Sequence, residues 1–138
     1  MASKVLALDV GNVRIGVAMA DAELRFANPL TTLINDDAIW DTLAALVQEN
    51  QVEVVVVGLP RSLQGNETPQ TQICRLFAEN LPERLQMSQL AIKLQDEAAT
   101  SVKAEEELRA RGKPYQKADI DALAATYILE DYLNGDRY

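Results

Sequence analysis

Apolar and polar positions alternate in blocks along the chain, and the blocks have two different periods. Residues 5–8 are an unbroken apolar run ending at Asp9, the pattern of a strand buried on both faces. Gly11-Asn12 marks a turn, and residues 15–20 form a second strand. Residues 26–34 read as a third, which Pro29 makes irregular or places at an edge, because proline has no N–H to give a ladder. Three strands in close succession predict an antiparallel meander. Residues 35–37 (Asn-Asp-Asp) offer a helix cap, and Ile39, Leu43, Leu46 and Val47 follow at helical spacing up to Glu49-Asn50. Residues 52–57 carry the strongest strand signal in the chain and end at Gly58-Leu59-Pro60, followed by a polar loop over 61–67. A helix is expected over 69–80 with Ile73, Leu76 and Phe77 facing inward, then a strand over 90–94 leading to Asp96-Glu97. A helix over 101–111 stops at Gly112 and Pro114, and residues 120–133 form the last helix.

The predicted order is three strands, then helix, strand, helix, strand, helix, helix. A meander followed by alternating helices and strands makes a mixed five-stranded sheet flanked by helices, an α/β architecture. No repeat or linker interrupts it, so residues 1–138 are expected to form a single domain. Apolar residues make up 48% of the chain, which opposes disorder. One cysteine, Cys74, leaves no intramolecular disulfide. The short apolar start lacks both the length of a membrane span and the layout of a signal peptide, so a soluble cytoplasmic protein is expected.

Charge and residue types narrow the chemistry. The formal net charge of −8 opposes a protein coated in positive charge for nucleic acid, though a local basic patch remains compatible with one. The chain has no histidine. Imidazole bases, imidazole metal ligands and Ser-His-Asp or Cys-His triads are thereby excluded, and so is a structural zinc site. Carboxylates, hydroxyls, Arg and Lys remain, and these suit hard cations such as magnesium and manganese.

Three groups of acids stand at element ends. Asp9 closes the first buried strand, where a carboxylate must be solvated, paired or bound to metal; capping of the Gly11-Asn12 turn is an equal alternative. Asp96 and Glu97 close the last strand, and a helix N-terminal pair is the alternative there. Being adjacent, the two point in different directions, so at most one faces a given site squarely. Asp121 shares a helix face with Ala125, Ile128 and Tyr132, which sets it on the apolar side, whereas Asp119 suits the cap or first turn. The first and central strands are expected to be neighbours, and their ends can bring Asp9, the Asp96-Glu97 pair and Asp121 together. Such acids raise one another's pKa, and divalent metal relieves the repulsion.

Candidate phosphate contacts are Arg61, in the loop that also holds Gly65, and the basic run Arg109, Arg111, Lys113 and Lys117 just before Asp119. A solvated helix end is the plainer reading of that run. Cys74 reads as a small core residue or inert thiol, and Trp40 as packing rather than a base-stacking platform.

Four segments in register resemble the YqgF/RuvX family. DVGNVRIGVAMAD (9–21) is similar to its first hairpin and VVVVGLPRSLQG (54–65) to its central strand and glycine loop. DEAAT (96–100) stands where the family has an acidic strand-end motif, and ADIDALAATYILEDYL (118–133) is similar to its final helix. The resemblance implies a ribonuclease H-like fold related to the RuvC resolvases and a divalent-metal nuclease using Mg2+ or Mn2+. It implies Asp9, Glu97 and Asp121 as catalytic acids and metal ligands, with Asp96 as a further candidate ligand, and Arg14 as a substrate contact. One departure is that Ala98 and Ala99 replace the family's usual Arg-Leu.

The family is described both as the nuclease that matures the 5′ end of pre-16S rRNA and as a candidate Holliday-junction resolvase. The first is the main expectation here, with pre-rRNA as partner. The second would act on a DNA junction and would need a homodimer. A non-catalytic RNA- or transcription-associated binding module is the third reading. A phosphotransferase is opposed by the short chain and by the lack of a Gly-x-x-x-x-Gly-Lys loop.

Overall fold

Apolar runs such as residues 5–8 and the valines at 54–57 have nowhere to put a polar face, so they become the middle of a sheet covered on both sides. In the computed structural model, which describes residues 3–97 and 100–135, the sheet has five strands, β1 (Lys4–Val10), β2 (Arg14–Asp21), β3 (Phe26–Ile34), β4 (Val52–Pro60) and β5 (Ala91–Glu97), of which β1, β2 and β4 are the buried ones. Their order across the sheet is β3-β2-β1-β4-β5. The expected meander is β1-β2-β3, antiparallel throughout, while β4 joins β1, and β5 joins β4, in parallel. β3 is an edge, and its register slips opposite Val17 and Ala18, beside Pro29. The expected mixed sheet is thus present.

Four helices cover it: α1 (Ile39–Glu49), α2 (Pro69–Leu85), α3 (Thr100–Ala110) and α4 (Lys117–Gly135). On one face Leu6, Leu8, Val10, Ile15, Val17, Val55 and Val57 pack with Leu43 of α1 and Leu81 of α2. On the other, Val5, Ala7, Ala18, Ala20 and Val56 pack with Ala125, Ile128 and Leu129 of α4. That second face is built from small residues, which lets α4 lie close to the strands. α3 rests on α4 through Ala104, Leu108, Leu123 and Ala124. Among the described residues no helix is long and apolar enough to cross a membrane.

Helix boundaries and faces depart from the pattern in places. α1 takes Ala38 as its N-cap with no side-chain cap. Asp36 instead accepts from the Ala38 N–H at 3.0 Å, and Asn35 is drawn away to donate to the Gly11 carbonyl at 2.7 Å. α2 runs on past residue 80 to Leu85 with Pro82 inside it, closing on Gln86 in the left-handed region. Its inward face is Thr71, Cys74, Ala78, Leu81 and Leu85. Ile73 and Leu76 are therefore turned to solvent, at 47% and 57% exposure, and Phe77 only borders the core. The longer helix fixes its rotation by its last two leucines, not by the apolar residues of its middle. β5 begins and ends later than the apolar run 90–94, because its ladder with β4 continues to the Pro60–Glu97 pair.

Trp40 stacks on Phe77 with ring centroids 4.7 Å apart, and Arg84 lies 5.4 Å from its ring, in keeping with a packing role. Cys74 is buried, its thiol directed at the Val10 carbonyl at 3.4 Å. Burial, opposed by Gln70 and reinforced by Glu97 and Asp9, pushes it up to about 11. The thiolate is the reactive form. Cys74 is therefore expected to resist a maleimide reagent at pH 8 in the native protein and to label at once in denaturant. Rapid labelling without denaturant would show that α2 opens locally.

Candidate active site

The carboxyl ends of the parallel strands β1, β4 and β5 lie at one edge of the sheet, the edge at which α/β sheets bind ligands. Side chains alternate along a strand, so Asp9 follows Val5 and Ala7 onto the α4 face. The same alternation separates the two acids at the end of β5. Glu97 turns inward and is 9% exposed, while Asp96 turns outward to accept from Arg61 at 2.9 Å. Asp121 comes from the first turns of α4, on the face shared with Ala125 and Ile128. Asp119, by contrast, sits in the first turn, where its carboxylate accepts from the Gln116 N–H at 2.9 Å.

Asp9, Glu97 and Asp121 thus line one hollow of about 310 Å³, together with Val10, Gly11, Asn12, Arg14, Pro60, Gln70 and Ser101. Among the described residues Arg14 is the one basic side chain in that lining. Arg61 is held between Glu67 and Asp96 at 3.2 and 2.9 Å. Arg109 pairs with Glu105 at 3.7 Å and Arg111 with Glu107. Lys113 and Arg111 line a separate hollow with Pro29, Tyr115 and Asp119, and Lys117 is the first residue of α4. Of the sequence candidates, the three core acids and Arg14 are brought together; Asp96, Arg61 and the basic run are not. Ala98 and Ala99 lie outside the described residues.

The electrostatics follow from this crowding. Burial, then the charges of Glu97 and Asp121, push the Asp9 carboxyl up to about 7. Burial also raises Glu97, partly offset by the Thr100 hydroxyl, which donates to its carboxylate at 2.6 Å. Asp121 accepts from Arg14 Nε at 2.6 Å. Among the described residues no three acidic or thiol side chains converge, as they stand, closely enough to enclose an ion; Arg14 occupies one acid and Thr100 another. The donor set is nonetheless all oxygen and mutually repelling, which fits a hard divalent cation.

Two glycines set how near the acids come. A Cβ on Gly16 would lie 1.9 Å from the Asp121 carbonyl oxygen, so α4 packs directly on the β2 backbone at its acid. A Cβ on Gly58 would lie 2.6 Å from Ile128 Cδ1 and 3.2 Å from the Glu97 carboxyl carbon. Sequence reading missed Gly16, Thr100, Gln70 and Ser101. Thr100, within DEAAT, was the most findable, standing three residues beyond Glu97 in the sequence.

The RuvX family model, described as Holliday junction resolvase, matches residues 3–135. A protein of Chloroflexus aurantiacus is 44% identical over 137 residues, covering 96% of this chain and 88% of its own length. One of Haemophilus ducreyi is 36% identical over 140 residues, covering 99% of each. Both are named, provisionally, pre-16S rRNA nucleases. Among solved structures, Thermus thermophilus RuvC with a Holliday junction substrate aligns with a TM-score of 0.58 at 16% identity, over 98% of this chain and 96% of that one. A fowlpox virus resolvase bound to junction DNA aligns with a TM-score of 0.53 at 13% identity, over 98% and 99%. At such identity the likeness is one of fold, the ribonuclease H-like fold.

Proposed function

The chain belongs to the RuvX family, and from that premise we propose that it is a divalent-metal nuclease that hydrolyses phosphodiester bonds in the 5′-end maturation of pre-16S rRNA. The observation that carries the reading is the convergence of Asp9, Glu97 and Asp121 on one hollow at the carboxyl edge of the sheet. The relatives' names direct it to precursor rRNA. We place its work in the cytoplasm, and treat the chain as one domain because a single sheet carries the whole site.

Asp9, Glu97 and Asp121 would hold Mg2+ or Mn2+, with Asp96 aside because it is turned toward Arg61. Such a cation, when bound, acidifies water for attack at neutral pH and offsets charge on the leaving oxygen. The protein's own part is to place the carboxylates. Thr100 fixes Glu97 by donating to it, and burial keeps water from screening the acids. Arg14, with Ser101 in the same lining, offers donors to the phosphate. Arg109, Arg111, Lys113 and Lys117 contact the RNA backbone away from the cut, and Arg61 joins them only on release from Glu67 and Asp96. Backbone and shape contacts of this kind suit folded RNA.

The test uses a labelled precursor RNA spanning the 5′ end of 16S rRNA and a four-way DNA junction, each with magnesium, manganese or chelator. Metal-dependent cutting of the RNA alone is expected. Symmetric cutting of the junction would favour a resolvase acting as a homodimer, and no cutting of either would contradict the nuclease reading.

A further inference from the structure

Arg14 stands at the start of β2, where the Gly11 N–H donates to its carbonyl at 2.9 Å and anchors the backbone beside the acids. Its Nε donates to Asp121 at 2.6 Å, in surroundings that leave the two side chains 32% and 20% exposed. Both terminal nitrogens are left without a protein hydrogen bond among the described residues. The guanidinium therefore has one edge committed to a core acid and donors to spare. A planar fork of this kind fits a phosphate bidentately. A cation arriving at Asp121 competes with the guanidinium for one carboxylate, and two positive charges at such separation repel strongly in a half-dry site.

We propose that Arg14 is a lock on the cation site: it holds Asp121 until a nucleic-acid phosphate draws the guanidinium away, so that cation and nucleic acid bind cooperatively. The inference rests on the reading of Asp9, Glu97 and Asp121 as cation ligands and adds a regulation of that site. The coupling is reciprocal: a phosphate backbone tightens the cation, and the cation tightens the backbone. A free protein then stays poorly loaded and does not cut before the substrate is seated.

The test is Mn2+ binding followed by the loss of its free-ion spin-resonance signal, with no cleavage involved. Wild type, Arg14→Gln and Arg14→Lys are compared, alone and with a 2′-O-methyl copy of the precursor RNA that resists hydrolysis. Thermal melts verify that each variant is folded. Arg14→Gln is expected to bind Mn2+ about tenfold more tightly than wild type in the free protein, the order of effect of losing one charge-assisted contact. Arg14→Lys, keeping the charge, stays nearer wild type. The RNA copy is expected to tighten Mn2+ by a larger factor in wild type than in Arg14→Gln, because only wild type has a guanidinium to draw off Asp121. Equal or weaker Mn2+ binding by Arg14→Gln would overturn the lock and make Arg14 a support for Asp121. Mn2+ binding by neither wild type nor Arg14→Gln would overturn the three-acid reading itself, and the lock with it.

Discussion

Asp9→Asn is expected to abolish cleavage and at the same time to raise the melting temperature of the metal-free protein. Both effects come from one cause. The Asp9 carboxyl is pushed up to about 7 by burial and by the charges of Glu97 and Asp121. In the unfolded chain it returns to its ordinary value of 3.8. Between those values the folded state holds a proton that the unfolded state has released, so stability falls as pH rises through that window. Above it the folded protein carries the whole cost of a buried, repelled charge, on the order of 4 kcal/mol. Asparagine keeps the shape and removes the charge. The variant is therefore expected to melt roughly 5 °C or more above wild type at pH 8 in chelator, and to show little advantage at pH 3.5. Saturating Mg2+ should narrow the gap, because it stabilises only the protein that binds it. Melts at both pH values, with and without Mg2+, check this. Equal stability at pH 8 would mean that Asp9 is not crowded by the other acids.

The second large effect is expected from a position with no side chain. Gly16→Ala places a methyl 1.9 Å from the Asp121 carbonyl oxygen. No rotamer relieves a contact between Cβ and backbone, so α4 must move off β2. That displaces Asp121 and opens the small-residue seam of Ala18, Ala20 and Ala125. Overpacking of this kind costs about 3 kcal/mol or more when backbone must shift, and cleavage should be lost even where the variant still folds. Gly135→Ala is the matched control: nothing lies within 4 Å of its Cβ position, and alanine is the better helix former. Urea melts of the two variants beside a cleavage assay separate the outcomes. If Gly16→Ala kept wild-type stability and activity, α4 would not rest on β2 as described.

The sheet was legible because its signal is dense. The run at residues 5–8 and the valines at 52–57 have no polar face to offer, and the turn residues between strands 1 and 3 leave room only for a meander. The opposed directions of Asp96 and Glu97 were legible for the same reason, since alternation along a strand is geometric. The face of α2 was not. Its middle offers Ile73 and Leu76, but its buried stripe runs through Cys74 and Ala78, residues too small to announce themselves. A run of cations before α4 was conspicuous in sequence, yet Arg109 and Arg111 are matched by acids one turn earlier on α3. Gly16 was invisible as a site determinant because its role depends on a helix far away in the chain. A glycine shows in sequence only that something is missing, and the structure shows what fills the space.

The most direct measurement is metal rescue on a sulfur-substituted substrate. A precursor RNA carrying phosphorothioates near its 5′ processing site would be offered to the protein with Mg2+ and then with Mn2+, which accepts sulfur more readily. If Asp9, Glu97 and Asp121 hold a cation against the scissile phosphate, sulfur should slow cleavage in Mg2+ and Mn2+ should restore it, with neither metal rescuing Asp9→Asn. Cleavage indifferent to sulfur and persisting in chelator would contradict a metal-dependent nuclease built on these three acids.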